Sequence, residues 1–464
     1  MMEIPPYLPK ILSHLNLKGI DLAEIFLEQR ISSLISCEEH RIEKINSGID
    51  TGIGLRLIYA QKTSYAYSND LSEFSLQRMA ESLSCTLHAP QNNIVIDLDV
   101  LSPPRPYTME KPFDKVGLDV KSDLVRRADK AARAVAPELI KQVKVIYADN
   151  KQEMCLVNSE GEQIEEIRPS LIFLVQVVAA KGREIQTGYE AIGGKMGMEL
   201  LENQHTPENI ARMAAQRAVT MLEAEHAPTG PMTVVLSSEA GGTMIHEAIG
   251  HGLEADLIQK GLSVFSNRLG ERVASPVVTV IDDATLPGKR GSFFYDDEGV
   301  PAQRTVLVEN GVLKGYMYDR LTALKAKTSS TGNGRRESYQ HVPIPRMTNT
   351  FIAPGKTPPE EILSSTPKGL FIKKMGGGQV DTVTGDFVFE VNEGYLIEKG
   401  KIGRPVRGAT LIGNGPKILQ DIDMVGSDLG YQVGTCGKDG QAAPVSDAQP
   451  TLRIKQIIVG GQAI

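Results

Sequence analysis

Three side chains of chemical interest stand within six residues of one another. His246, Glu247 and His251 occur in "GGTMIHEAIGHGLEAD" (241–256), one residue longer between the histidines than the zinc-binding pattern H-E-x-x-H. That pattern works because positions i and i+4 share one face of a helix, so both imidazoles reach one Zn²⁺ while the glutamate handles a proton. At i and i+5 a regular helix places the two ligands roughly 140° apart and about 7.5 Å along the axis. They converge only if the helix widens into a π-type turn or unwinds at Gly250, and Gly250 and Gly252 flank His251 where either is easy. Without such an irregularity the pair reads as one core histidine and one helix cap. A metal site therefore predicts an irregular helix between 246 and 252.

Catalytic zinc takes three protein ligands and keeps one position open. Among the other histidines, His14, His40 and His88 belong to the first ninety residues, and His205 and His226 flank a helix in polar surroundings. His341, in "GRRESYQHVPIP", has no independent signal. Cys436, in "VGTCGKDGQ", is the sole cysteine after residue 228 and sits among glycines, which leave room to present a thiolate. Taken in isolation it also reads, and more commonly, as a buried small hydrophobe. Glu254 and Asp256 fit either as acceptors that orient a ligand imidazole or as an exposed acidic helix end.

Residues 246 and 436 need a scaffold to meet. The periodicity predicts a short helix at "LPKILSHL", strands in "DLAEIFLEQRISSLIS" and "TGIGLRLIYAQKTSYAYS", and a helix in "LSEFSLQRMAESLSCTLHA", a first α+β unit over 1–101. The proline-rich "LSPPRPYTMEKPFD" reads as a linker. A middle unit over 114–227 repeats the ingredients, with a helix in "KSDLVRRADKAARAVAPE", three strands in "VKVIYADN", "EMCLVNSEGEQIEEI" and "LIFLVQVVAAKGREI", and a helix in "TPENIARMAAQRAVTMLEAEH". The turn "NSEGE" signals a hairpin. From Pro228 to 464 the chain becomes rich in glycine loops and short strands, with hairpin turns at "ENG" and "EKG". No regular βαβ alternation occurs, so the expected class is α+β with largely antiparallel sheets, the metal site lying in a strand- and loop-rich carboxy-terminal domain.

Composition sets outer limits. With 464 residues the chain buries sizeable cores without structural staples, so a metal here is functional rather than structural. A formal net charge of −7 gives no reason to approach nucleic acid or an anionic membrane. The longest apolar run, "LIFLVQVVAA", is too short to span a bilayer, and four separated cysteines suit a reducing compartment, so a cytoplasmic location is expected.

Long, ordered motifs carry a resemblance. "HEAIGHGLEAD", "GNGRRESYQHVPIPRMTNTFI", "GGGQVDTVTGDFVFEVNEGYLIEKGK", "GATLIGNG" and "GTCGKDGQ" resemble, in this order, the carboxy-terminal domain of the TldD/PmbA family, in its TldD branch. "DLAEIFLEQ", "GIGLRLI" and "SYAYSND" are similar to that family's first domain. The resemblance implies a zinc peptidase acting on short or unfolded peptides. It assigns His246, His251 and Cys436 as ligands of Zn²⁺ and Glu247 as general base. It also implies pairing with a related PmbA-type subunit, which lacks the metal motif, in a heterodimer that encloses the site; a homodimer is the alternative.

"GNGRRESYQH" and "MGGGQVD" are then expected along the substrate path. Arg335 or Arg336 would bind a carboxylate or oxyanion, or else anchor loops, and Gly376 to Gly378 would let a peptide backbone come close. Two other functions stay open: a cysteine hydrolase using Cys436, and a non-enzymatic modulator of a partner such as DNA gyrase. The first leaves Glu247 and one histidine idle. The second explains none of the motif chemistry.

Overall fold

Long antiparallel strands carry the first half of the chain. The computed structural model describes residues 2–85, 96–103 and 107–461, so His88 and the end of the second expected helix lie outside the described residues. Strands β1 (Leu22–Glu38), β2 (Arg41–Tyr59), β3 (Lys62–Ser68), β4 (Asp99–Leu101), β5 (Ile140–Asn158), β6 (Glu162–Lys181) and β7 (Glu184–Gly194) form one sheet in the order β3-β2-β1-β5-β6-β4, with β7 also on β6. β1 pairs with β5 from Glu24–Asn158 to Glu38–Lys144, so segments from either side of the proline-rich stretch share this sheet.

The strands expected separately at "VKVIYADN" and "EMCLVN" are one continuous β5, and β6 likewise runs unbroken through Arg168–Pro169–Ser170. Polar residues that look like a break face partners across the ladder: Gln152 stands opposite Arg168 on one side and Arg30 on the other. The hairpin turn at 159–161 lies where "NSEGE" signals it.

Four helices bury the sheet's faces. Helices α1 (Leu8–Leu15) and α2 (Glu73–Cys85) cover Ile25, Leu27, Ile53 and Leu55 with Leu8, Ile11, Leu12 and Leu76. Helices α3 (Leu118–Arg133) and α4 (Pro207–Leu222) cover Val143, Val145, Phe173 and Val175 through an alanine-rich face. Each large aliphatic side chain buried this way contributes about 1.5–3 kcal/mol. The close approach of α4 needs Gly188, where a Cβ would stand 1.9 Å from the Ala214 carbonyl oxygen. Thr206 starts α4 by accepting a hydrogen bond from the Asn209 N–H.

Among the described residues the carboxy-terminal half holds two large sheets and the two-stranded pair Gly334–Arg335 with Ile344–Pro345. In the eight-stranded one, Lys368–Val380 pairs with both Gly230–Leu236 and Asp386–Glu398, closing five strands into a ring around Val234, Leu370, Phe389 and Ile454. The six-stranded sheet ends in the hairpin Gly430–Lys438 and Gln441–Gln449. Its turn, Asp439–Gly440, has φ of 50° and 72°, and the turns Asn310–Gly311 and Lys399–Gly400 share that left-handed pair, which matches the twist of flanking strands. The fold is α+β with largely antiparallel pairing, as the hairpin-rich sequence implies.

Candidate metal centre

The strand Gly230–Leu236 runs through the core and stops at Ser237, whose side chain accepts from the Glu239 N–H. The chain reverses at Gly241, with φ 76°, and a helix begins at Thr243. From His246 to Gly250 that helix widens into a π-turn, and the His251 N–H donates to the His246 carbonyl five residues back. A 3-10 turn, His251–Leu253, follows. The i to i−5 bond brings residues five apart onto one face, which is the irregularity the spacing demands. It is locked by packing: a Cβ on Gly250 would lie 2.1 Å from the Met347 sulfur.

Three donor atoms meet beneath this turn. Nε2 of His246 lies 3.2 Å from Cys436 Sγ, and Nε2 of His251 lies 3.4 Å from it. The imidazole rings stand edge to face, 4.9 Å between centroids. One ligand atom from each of the three residues falls within 4.8 Å of the others, a grouping able to hold a metal ion. Two imidazoles and a thiol form a donor set that suits zinc.

Carboxylates fix both rings from behind. Nδ1 of His246 lies 2.7 Å from Asp447 Oδ1, and Nδ1 of His251 lies 2.9 Å from Glu254 Oε2. Each Nδ1 is then the donor, leaving Nε2 aimed at the sulfur. Lys438 completes the support, its ammonium 3.1 Å from Glu254 and 2.6 Å from Asp256.

The electrostatics follow. Burial opposes the charged form of His246, but Asp447 and the thiolate outweigh it and raise its pKa well above the usual imidazole range. His251 rises to about 10, burial being overcome by Glu254 and Cys436. Burial pushes Cys436 up, yet the two histidines pull it down to about 5. Cys37 and Cys155 lack such neighbours, and burial takes them up to about 11 and about 12. Cys436 is buried, at 3% exposure, but its surroundings make it an anion rather than a hydrophobe.

The cluster floors a cavity of about 860 Å³. Glu247 lines it beside the donors, with burial raising its carboxyl above the ordinary range and the two histidines lowering it again in part. One wall is Met375–Val380, and Thr187 and Tyr189 of β7 face it from the amino-terminal sheet. Beyond Ile372, which pairs with Leu236, the strand Lys368–Val380 has no strand on that side among the described residues.

Of the residues singled out from sequence, His246, Glu247, His251, Cys436 and Gly376 to Gly378 share this cavity. Glu254 orients an imidazole, whereas Asp256 bonds Lys438 instead. Arg335 and Arg336 do not line this cavity. Arg335 donates to the carbonyls of Met347 and Pro444, and Arg336 pairs with Glu24 of β1 at 2.6 Å, so both anchor loops. His341 bonds Ser338. Asp447 and Lys438 escaped the sequence reading; the Asp439–Gly440 turn was the available signal, since it lays 441–449 against the Cys436 strand.

Comparisons with known proteins agree along the chain. Family models described as PmbA/TldA metallopeptidase domain 1, central domain and C-terminal domain match residues 23–85, 111–222 and 229–461. A metalloprotease TldD homolog of Haemophilus influenzae is 38% identical over 97% of this chain and 94% of its own. A metalloprotease of Methanocaldococcus jannaschii is 37% identical over 93% and 96%. Among solved structures, TldE from Thermococcus kodakarensis has a TM-score of 0.75 at 19% identity, covering 96% of this chain and 98% of that one. A Thermotoga maritima protein named as a proposed modulator of a DNA gyrase has a TM-score of 0.79 at 22% identity, covering 95% and 96%.

Proposed function

From the premise that the chain belongs to the PmbA/TldD family of metallopeptidases, we propose that it is a zinc-dependent peptidase of short or unfolded peptides. His246, His251 and Cys436 would hold Zn²⁺ and Glu247 would be the general base. The observation that carries this is the convergence of both Nε2 atoms on Cys436 Sγ in a cavity that Glu247 also lines.

Bound there, zinc supplies a Lewis acid that polarises the scissile carbonyl and acidifies water. Asp447 and Glu254 keep each Nδ1 protonated, so that each Nε2 presents its lone pair. A Glu247 carboxylate oxygen takes the proton from the attacking water as the carbon–oxygen bond forms. It returns that proton to the amine nitrogen as the carbon–nitrogen bond breaks. A carboxyl raised by burial suits both steps, because its affinity for the proton lies nearer neutrality.

The unpaired side of the strand beyond Ile372 supports recognition of extended peptides by strand addition, which reads backbone rather than sequence. At Gly377 an added Cβ would meet nothing within 4 Å, so a backbone has room there. We extend the proposal to a second subunit, of PmbA type or another copy of this chain, enclosing the cavity. Size-exclusion chromatography with and without a related subunit tests that extension.

One arrangement favours a second reading. Cys436, His246 and Asp447 are linked in the order thiol, imidazole, carboxylate, as in a cysteine hydrolase. The two readings part on Glu247. In a zinc peptidase, Glu247→Gln retains zinc and loses about 10²- to 10⁴-fold in hydrolysis of an unstructured peptide. In a cysteine hydrolase the same variant stays active, chelators do nothing and iodoacetamide abolishes turnover. Zinc content measured beside activity decides between them.

A further inference from the structure

Behind the strand that carries Cys436 lies a second chamber, of about 280 Å³, enclosed between the amino-terminal sheet and the carboxy-terminal half. Successive side chains of a strand point to opposite faces, so Cys436 faces the metal centre while the Thr435 hydroxyl meets Arg290 at 3.1 Å on the other side. The charges lining this chamber do not cancel. Arg168 is paired with Asp297 at 2.5 Å and Glu166 at 3.1 Å, Arg336 with Glu24, and Arg30 with Glu28. Asp149 is held by Lys121 and by the Tyr147 hydroxyl.

Lys195, Arg290 and Arg335 are left without carboxylates. Arg335 donates to two backbone carbonyls, and Arg290 to the Gly434 carbonyl and the Thr435 hydroxyl, its Nε unpartnered. The Lys195 side chain lines the chamber, the residue is 8% exposed, and among the described residues its ammonium has neither a hydrogen bond nor an ion pair. Against these three cations the chamber holds Glu337, whose carboxylate is occupied by the Ala442 N–H at 2.5 Å. An unpaired buried ammonium is strongly disfavoured unless something supplies the missing charge. Burial, with Arg168 beside it, pulls Lys195 down to about 7, Glu166 acting the other way.

We propose that this chamber is an anion site, taking an oxyanion of the phosphate class, free or as the phosphate group of a small metabolite, on Lys195, Arg290 and Arg335. With Arg168 facing two carboxylates and Glu337 counted as an anion, the groups around the chamber keep a surplus of positive charge, which suits an anion. The free ammonium of Lys195, with the Arg290 and Arg335 guanidinium groups beside it, is the kind of grouping that binds phosphate oxygens. The volume admits a phosphate with a few attached atoms and excludes a peptide chain.

Calorimetric titration of the full chain with inorganic phosphate tests it, at constant ionic strength with chloride as the balancing salt and glycerol 3-phosphate as a second ligand. Saturable binding is expected, weakened about 10- to 100-fold in Lys195→Met and in Arg290→Met. Thermal unfolding provides a readout that a structural role would not give. Phosphate should raise the wild-type midpoint but not that of Lys195→Met, which without phosphate should unfold no lower than wild type, since an unpaired charge has gone. Tighter binding of glycerol 3-phosphate supports a phosphorylated metabolite, and binding of phosphate alone supports the free ion. The proposal is overturned if the wild type binds neither ligand saturably, if both variants bind as well as wild type, or if Lys195→Met lowers the midpoint and keeps the full phosphate response.

Discussion

His246 Nδ1 and Asp447 Oδ1 lie 2.7 Å apart, and Asp447 belongs to the same hairpin as Cys436. One hairpin thus delivers both the thiol and the carboxylate that orients the first histidine. Asp447→Asn removes the charge that favours the Nδ1–H tautomer and should weaken zinc binding about 10- to 100-fold without abolishing it. Competition against a chromophoric chelator measures this, with Cys436→Ser as the variant that loses the metal outright. Unchanged affinity in Asp447→Asn would make that hydrogen bond incidental.

A pH dependence follows from Glu254. It is fully buried, and burial would raise its pKa, yet Lys438 and His251 hold it down at about 2 against an ordinary 4.5. A depressed carboxyl contributes stability that is present above its unfolded value and lost as pH falls through the folded one. In zinc-free protein the stability gap between wild type and Glu254→Gln should be full near neutrality, on the order of 3 kcal/mol, and narrow below about pH 4.5. Denaturant titrations at several pH values check it. A gap independent of pH would show that the carboxylate's charge is not what Lys438 and His251 recognise.

Gly377 separates substrate binding from metal binding. Gly377→Val meets no atom of the chain within 4 Å of its Cβ, so the fold should stand, while the new side chain projects into space a peptide would use. We expect kcat/KM for an unstructured peptide to fall about 10- to 100-fold at full zinc occupancy. Undiminished hydrolysis would remove this wall from the peptide path.

Arg336 joins the two halves. Its guanidinium pairs with Glu24 and lies 4.3 Å from the centroid of the Phe26 ring, both on β1. Arg336→Met leaves Glu24 buried with only Arg56, at 3.6 Å, for compensation, and should cost about 3–5 kcal/mol. Limited proteolysis should show the amino-terminal sheet opening first. A midpoint within error of wild type would contradict the anchoring role.

What could be read from the sequence was local. The six residues "HEAIGH" stated their own problem, because the arithmetic of 3.6 residues per turn forbids convergence in a regular helix, and the π-turn is the solution found. Helices α1 and α4 and the glycine-containing turns were equally visible, each signalled within a dozen residues. Asp447 was not, since the Asp439–Gly440 turn signals a hairpin but not which of its side chains meets a histidine 201 positions away. Arg335 and Arg336 stayed undecided between substrate binding and loop anchoring for a related reason. The partners that hold Arg336, Glu24 and Asp297, stand on elements far from it in sequence.

The π-turn also sets what the spacing of the two histidines means. Deleting one residue between His246 and His251 would restore the shorter zinc pattern, and because the π-turn is what absorbs the extra residue, a regular turn of 3.6 residues would again set both histidines on one face. Glu254, three residues past His251, would move with it and keep its imidazole, whereas the close packing of Gly250 on Met347, where an added Cβ would stand 2.1 Å from sulfur, ties the present turn to its glycine. The extra residue and the widened turn come as a pair, and the spacing of the two histidines is a measure of the local pitch of the helix that carries them.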